Sequence, residues 1–278
     1  MESVTIRADE KKYWPDYAEV WRYRDLVISL VKRNFSVSYK RTALGPLWIV
    51  LSPLLQSVAY MVFFGGIFSV DTGTVPQYLF YLLGTALWLV TSGSFSSNSD
   101  IFSSNSAIFD KVYFPRVIIP ISNMLVNAVK FCVSFLITLV FLLPSALRGT
   151  VSPRYILWAF LPLVILWQGV LGMSLGMIFS SLITRYRDFA FLTRMINRAW
   201  MFATPVVYPL SQVSARVLSV LISLNPASRA FELFRYIMVG EGNVSPVWIV
   251  YSVRVTVVLF IIGNIAFSLV EKDFIDRV

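Results

Sequence analysis

The 278-residue sequence contains no histidine and a single cysteine. Without histidine the chain lacks the commonest general base and the commonest metal ligand. The lone Cys132 sits within an apolar run, where it supports neither a disulfide framework nor a thiolate metal cage. Charge is also scarce. Asp, Glu, Lys and Arg make up 14% of residues, against about 25% in an average soluble chain. No G-x-x-x-x-G-K-[ST] loop occurs, so the chain does not cradle ATP phosphates by that route. No Asp or Glu lies inside a long apolar run, which removes the carboxylate that a proton-coupled carrier places in the membrane. Asp71, Asp100 and Glu241 stand isolated, a poor basis for a membrane-bound glycosyl- or acyltransferase, which needs a catalytic acid or base at the interface. The polar N-terminus shows no short apolar core followed by a cleavage site, so no cleavable signal peptide is expected.

What is present is apolar: 57% of residues, with aromatics at 15%. Runs of about 20 apolar residues predict membrane-spanning helices. Six are expected, at 47–69, 78–95, 117–143, 155–182, 189–208 and 248–270. Between the last two, the apolar runs 217–224 and 231–239 flank Asn225-Pro226 and are each too short to cross. They predict a re-entrant helical pair within 209–240. Residues 20–43 predict an amphipathic helix at an interface, with Val27, Leu30, Val31 and Phe35 on one side and Asp25, Ser29, Lys32, Arg33, Ser36 and Lys40 on the other. Its apolar side suits either bilayer or protein. The fold class expected is therefore an all-α polytopic membrane protein. Residues 1–45 form a tail and interfacial helix, 46–270 the six-span domain, and 271–278 a second tail.

The net charge of +9 does not point to nucleic acid, because Lys and Arg cluster at the ends of apolar runs. With the N-terminus inside, nine fall in 1–45, two in 97–116, four in 184–198 and two in 271–278. The opposite segments hold none in 70–77, two in 144–155 and three in 209–246. The bias predicts that both termini are cytoplasmic. Lys130 and Arg254 fall inside predicted spans, where a central charge costs about 2.5–3.5 kcal/mol on insertion scales. Lys130 shares a helix side with Asn123 and Asn127, and either faces a pathway or snorkels. Glu232 and Arg235, three apart, are positioned to pair.

The chain turns from interface to span at Lys40–Pro53. Gly45 supplies backbone freedom, and Pro46 fits a first helical turn, where its missing N–H costs nothing. This makes Gly45 and Pro46 a candidate hinge. A heptad-spaced repeat, Phe95-Ser-Ser-Asn-Ser and Phe102-Ser-Ser-Asn-Ser, with Phe109 at the same step, predicts either a cytoplasmic amphipathic helix over 95–109 or a serine-rich loop. Gly172 and Gly176 form G-x-x-x-G in the fourth span, with Gly169 before them, and predict close helix packing. Aromatic rings give flat, low-entropy contact with the apolar faces of sugars. Tyr60, Phe63, Phe64 and Phe68 on the first span, and Trp200, Phe202 and Tyr208 on the fifth, are the candidate channel lining. Lys32, Arg33, Lys40, Arg41, Lys111 and Arg116 are candidate contacts for an anionic lipid headgroup.

Several motifs in order resemble a known family. These are Arg24-Asp25-Leu26 with S-Y-K-R-T-A-L-G-P-L-W (38–48), K-V-Y-F-P-R (111–116), R-Y-R-D (185–188), T-P-V-V-Y-P (204–209), L-N-P (224–226) with E-L-F-R (232–235), and E-K-D-F (271–274). The chain is similar over nearly its whole length to membrane subunits of type-2 ABC exporters of polysaccharides, most of all lipopolysaccharide O-antigen exporters, with teichoic-acid exporters close behind. The resemblance implies a permease rather than an enzyme, acting as a homodimer with two copies of a separate ATPase subunit. ATP and magnesium would bind that ATPase, leaving no cofactor on this chain. The substrate implied is a polymer on undecaprenyl pyrophosphate, crossing the bacterial cytoplasmic membrane. It also implies coupling segments at 97–116 and 183–189, carrying Phe102, Phe109, Asp110, Lys111, Arg185, Arg187 and Asp188. An exporter of a small lipid or drug would share the fold.

Overall fold

The computed structural model describes residues 17–40, 42–102, 104–105, 114–213 and 215–275. Every regular element among these residues is helical. Two helices precede the bundle, α1 (Tyr17–Arg22) and α2 (Arg24–Tyr39). The first long rod is α3 (Leu47–Tyr60), which continues as a π-helical turn over Met61–Ile67. It is followed by α4 (Gln77–Ser99) and α5 (Ile118–Leu147). A 3-10 turn (Tyr155–Phe160) leads into α6 (Leu161–Arg185). The shorter α7 (Phe189–Phe202), α8 (Arg216–Leu224) and α9 (Ser228–Val239) come next, and α10 (Pro246–Ile275) ends the described chain.

Among the described residues, five rods are long and apolar enough to cross a membrane: Leu47–Ile67, Gln77–Ser99, Ile118–Leu147, Tyr155–Arg185 and Pro246–Glu271. The α8–α9 pair bends by 85° at the Asn225-Pro226 break, as a broken span or re-entrant pair does. The fifth expected span is shorter than the apolar run suggests. Its helix stops at Phe202, because the following Thr204-Pro205 and Tyr208-Pro209 deny the helix backbone donors. The second runs further than its apolar content, through the serine-rich stretch to Ser99. Ile101 and Phe102, beyond a break at Asp100, are buried. Ile108 and Phe109 of the same repeat lie outside the described residues.

Helix α4 is the axis of the bundle and is buried along most of its length. It packs on α6 at very close range because of the three small residues there. A side chain at Gly172 would collide with the Thr91 carbonyl, and one at Gly176 with the Asn98 side chain. The expected G-x-x-x-G packing therefore operates within one chain, between α6 and α4. Two apolar clusters form the core. One lies around α4, α6 and α9. The other lies at the basic end, where Val27 and Leu30 of α2 meet Ile118, Met177 and Phe267. Thus the apolar side of the expected interfacial helix is packed on protein. Phe102 stacks on Phe267 at 4.9 Å, and Arg116 Nη1 donates to the Glu271 carbonyl at 3.3 Å.

Gly45 adopts a left-handed backbone, φ 52°, with no neighbour within reach of an added Cβ. Leu47, Trp48 and Ile49 donate their backbone N–H groups to the carbonyls of Leu44, Gly45 and Pro46. The corner expected from sequence is therefore built: a positive-φ glycine redirects the chain and a proline opens α3.

Candidate functional site

Helix α3 with its π turn exposes most of its surface, including Leu55, Val58, Val62 and Ile67. Against this apolar background an aromatic strip runs along one side. Tyr60 meets Phe64 at 5.9 Å, Phe64 meets Phe68 at 5.8 Å, and Phe64 meets Phe202 of α7 at 6.4 Å. The spacing of four residues keeps Tyr60, Phe64 and Phe68 on one face, and the π turn widens the helix there without breaking it. Tyr60 is fixed from both sides: Gln56 Nε2 donates to its hydroxyl at 2.6 Å, and the hydroxyl reaches Met201 Sδ at 2.9 Å.

The structure sorts the seven aromatics singled out from sequence. Tyr60, Phe64, Phe68 and Phe202 form one continuous surface. Phe63, more than half exposed, makes none of the ring contacts that join them. Trp200 turns inward, packing on Trp88 at 5.5 Å and Phe95 at 5.8 Å while its indole N–H donates to Asn225 Oδ1 at 3.1 Å. It links α7 to the α8–α9 bend rather than facing outward. Tyr208 is half-buried and donates to the Phe202 carbonyl at 2.8 Å, folding the segment after α7 back on itself.

A second, polar set was marked in the sequence only at Asn123 and Asn127, and the rest of it was missed. Asn197 Nδ2 donates to Ser92 Oγ at 2.9 Å and Ser96 Oγ at 2.8 Å, joining α7 to α4. On the other side, Asn123 Nδ2 reaches Asn98 Oδ1 at 3.2 Å, and Asn127 Nδ2 reaches Ser97 Oγ at 3.3 Å. Ser96 and Ser97 of the serine repeat, with Ser92 just before it, thus form a hydroxyl stripe between α7 and α5. The signal was the repeat itself, but only the packing shows which serines face polar neighbours.

At the end opposite the basic one, the expected Glu232–Arg235 pair forms at 3.2 Å, with both side chains almost fully buried. Arg235 also donates to the carbonyls of Pro205 and Val206 and lies 3.9 Å from the centroid of the Phe80 ring. Glu232 accepts from the backbone N–H of Leu210 at 3.4 Å and of Asn243 at 2.7 Å. Two charges on one turn of α9 thereby tie the α8–α9 pair to the segment after α7 and to the loop before α10. Glu241 accepts from Thr74, tying that loop to the one after α3.

Of the basic and coupling candidates, Lys32, Arg33 and Lys40 are exposed on or beside α2. Arg116 is committed in part to the Glu271 carbonyl. Arg185, Arg187 and Asp188 form an exposed turn between α6 and α7, and Phe102 is packed inside the basic end. Arg41, Phe109, Asp110 and Lys111 lie outside the described residues.

Exposed apolar rods, a bent helical pair and an aromatic strip fit a membrane transport subunit. Residues 25–239 match the ABC-2 type transporter family, and the chain belongs to it. It is a transporter subunit and not an enzyme, and membership implies work with a separate ATPase subunit. Among curated relatives it is similar to the O-antigen export system permease protein RfbA of Myxococcus xanthus, 31% identical over 215 residues, covering 75% of this chain and 78% of that protein. It is also similar to the O-antigen export system permease protein RfbA of Klebsiella pneumoniae, 26% identical over 252 residues, covering 90% of this chain and 93% of that protein.

Proposed function

We propose that this chain is the permease of an exporter that moves lipid-linked polysaccharide, lipopolysaccharide O-antigen on undecaprenyl pyrophosphate, across the bacterial cytoplasmic membrane. Two copies form the conduit, and two ATPase subunits, which hold ATP and magnesium, drive it. Both termini face the cytoplasm, in keeping with the excess of Lys and Arg at the basic end. The single observation that carries the reading is the aromatic strip Tyr60–Phe64–Phe68–Phe202 on rods that this chain leaves largely uncovered. A second copy across that surface would enclose a passage whose rings offer sugars flat contact without a deep well, so the polymer slides. The relatives' names supply the cargo.

In this mechanism the exposed Arg185–Asp188 turn and the 97–116 segment receive motion from the ATPase. Phe102, stacked on Phe267, passes it into the bundle. The Gly45–Pro46 corner lets α2 and α3 move separately. The α8–α9 pair, tied by Glu232 and Arg235, forms the outer gate. Lys32, Arg33, Lys40 and Arg41 draw the anionic headgroup to the entrance. The test is deletion of the coding sequence in a strain that displays O-antigen. The expected result is loss of surface polymer and build-up of lipid-linked polymer inside, restored by the intact gene. Unchanged surface polymer overturns the reading, and loss of a teichoic acid or capsule instead reassigns the cargo.

A further inference from the structure

Lys130 is a cation twelve residues into α5, about 18 Å along a helix axis from Ile118. It is half-buried and has no carboxylate partner among the described residues. Its surroundings deny it one. The sequence has no Asp or Glu between Asp25 and Asp71, and none between Asp110 and Asp188, so α3, α5, α6 and most of α2 are free of acid. An ionisable side chain inside a helix long and apolar enough to span, without a counter-charge, marks a functional position by default.

The packing of α2 supplies the rest of a site. Val27 and Leu30 share one buried cluster with Ile118 and Ile119, Asn34 Nδ2 donates to Asn123 Oδ1 at 3.2 Å, and the Tyr39 ring centroid lies 5.9 Å from Lys130 Nζ. Contacts that advance together along both helices mean that α2 runs beside the first turns of α5 in the same direction. It delivers its basic end, Lys40, to the level of Lys130. Arg33 is drawn toward the same seam, its Nε and Nη2 donating to Asn34 Oδ1 at 3.1 and 3.0 Å. The seam thus carries uncompensated cations, amide groups and one aromatic face.

We propose that Lys130, with Tyr39, Arg33 and Lys40, forms a binding site for the phosphate group of a membrane lipid, seated in the seam between α2 and α5. The lipid tail lies against the exposed apolar residues Leu125, Val129 and Leu136 of α5, and the phosphate neutralises the buried charge. The lysine acts as a point charge suited to phosphate. For the identity of the lipid the site rests on the exporter reading, which makes it the pyrophosphate of the lipid-linked polymer. A resident anionic phospholipid presents the same chemistry.

The test uses the permease assembled with its ATPase in nanodiscs, with bound lipids read by native mass spectrometry. Undecaprenyl pyrophosphate and phosphatidylglycerol are titrated separately against Lys130→Met and Lys130→Arg. Losing one charge-assisted contact is expected to weaken binding roughly ten- to hundredfold in Lys130→Met, with most of it kept in Lys130→Arg. Lys130→Met removes a costly charge, so its thermal stability should hold or rise, separating lost binding from lost folding. Weakened undecaprenyl pyrophosphate binding confirms the substrate headgroup. Weakened phosphatidylglycerol binding alone supports the site and assigns it to a resident phospholipid. Unchanged binding of both overturns the proposal. Because binding is read without an export step, failure of the exporter reading leaves this result interpretable.

Discussion

Glu232 and Arg235 hold each other at 3.2 Å on one turn of α9, both almost completely buried. Neither charge is satisfied by the other alone. Arg235 spends further donors on the carbonyls of Pro205 and Val206, and Glu232 its second oxygen on the N–H of Asn243. Breaking such a pair by one partner leaves an uncompensated buried charge, at a cost of about 3–5 kcal/mol. Glu232→Gln and Arg235→Met should each sharply lower the thermal stability of the purified complex. The double variant should lose less than the sum. Strictly additive losses would show that the pair is not the unit that fixes the bend.

The strip on α3 makes opposite predictions for adjacent rings. Phe64 touches Tyr60, Phe68 and Phe202, whereas Phe63 has no ring contact with the strip. Phe64→Ala should cut polymer export while the chain still assembles with its ATPase, and Phe63→Ala should leave export near wild type. Trp200→Ala is a poorer probe. It removes a ring packed on Trp88 and Phe95, so stability should fall by about 3–5 kcal/mol along with export. Equal export by Phe63→Ala and Phe64→Ala, measured as surface polymer, would remove the strip from the pathway.

At the corner, Gly45 has a left-handed backbone and open space around it. A Gly45→Val change therefore meets no clash, only backbone strain of order 1–2 kcal/mol. The complex should still assemble and hydrolyse ATP, but with less polymer moved per ATP. A normal ratio of export to hydrolysis would reduce the corner to a turn.

Close packing of α6 on α4 predicts a larger, purely structural effect at Gly172, where any side chain meets the Thr91 backbone. Gly172→Leu should abolish folded protein in the membrane, as judged by size-exclusion profile and protease resistance. Gly149, also at positive φ but with nothing near, should tolerate alanine with a loss of about 1 kcal/mol.

Much of the fold was legible because membrane helices are written in long apolar runs. Five of the six expected spans correspond to observed rods, within about four residues at each end, and the bent pair falls at Asn225-Pro226 as expected. The shorter extent of α7 was harder to see, since apolar content continues past Phe202 although the proline-rich segment after it cannot be helical. The site was legible only in part. Residue type marked seven aromatics, but composition could not tell Phe63 from Phe64, or show that Trp200 serves the core. Sequence marked Asn123 and Asn127 as a polar side of the third span but gave no partners for them, and Asn34 and Asn197 carried no signal at all, because each contact joins helices far apart in the chain.

By itself the sequence determined the class of the protein. Apolar run length demands spanning helices, the missing carboxylates and missing nucleotide loop demand an outside motor, and the placement of Lys and Arg sets an expected orientation. Tertiary structure alone decided which faces meet. Side-chain direction around a helix is set by packing against distant segments. Only the packing could separate an aromatic strip from an indole tied to Trp88, Phe95 and Asn225, fix Glu232 and Arg235 as the tie across three segments, and bring the basic end of α2 beside Lys130.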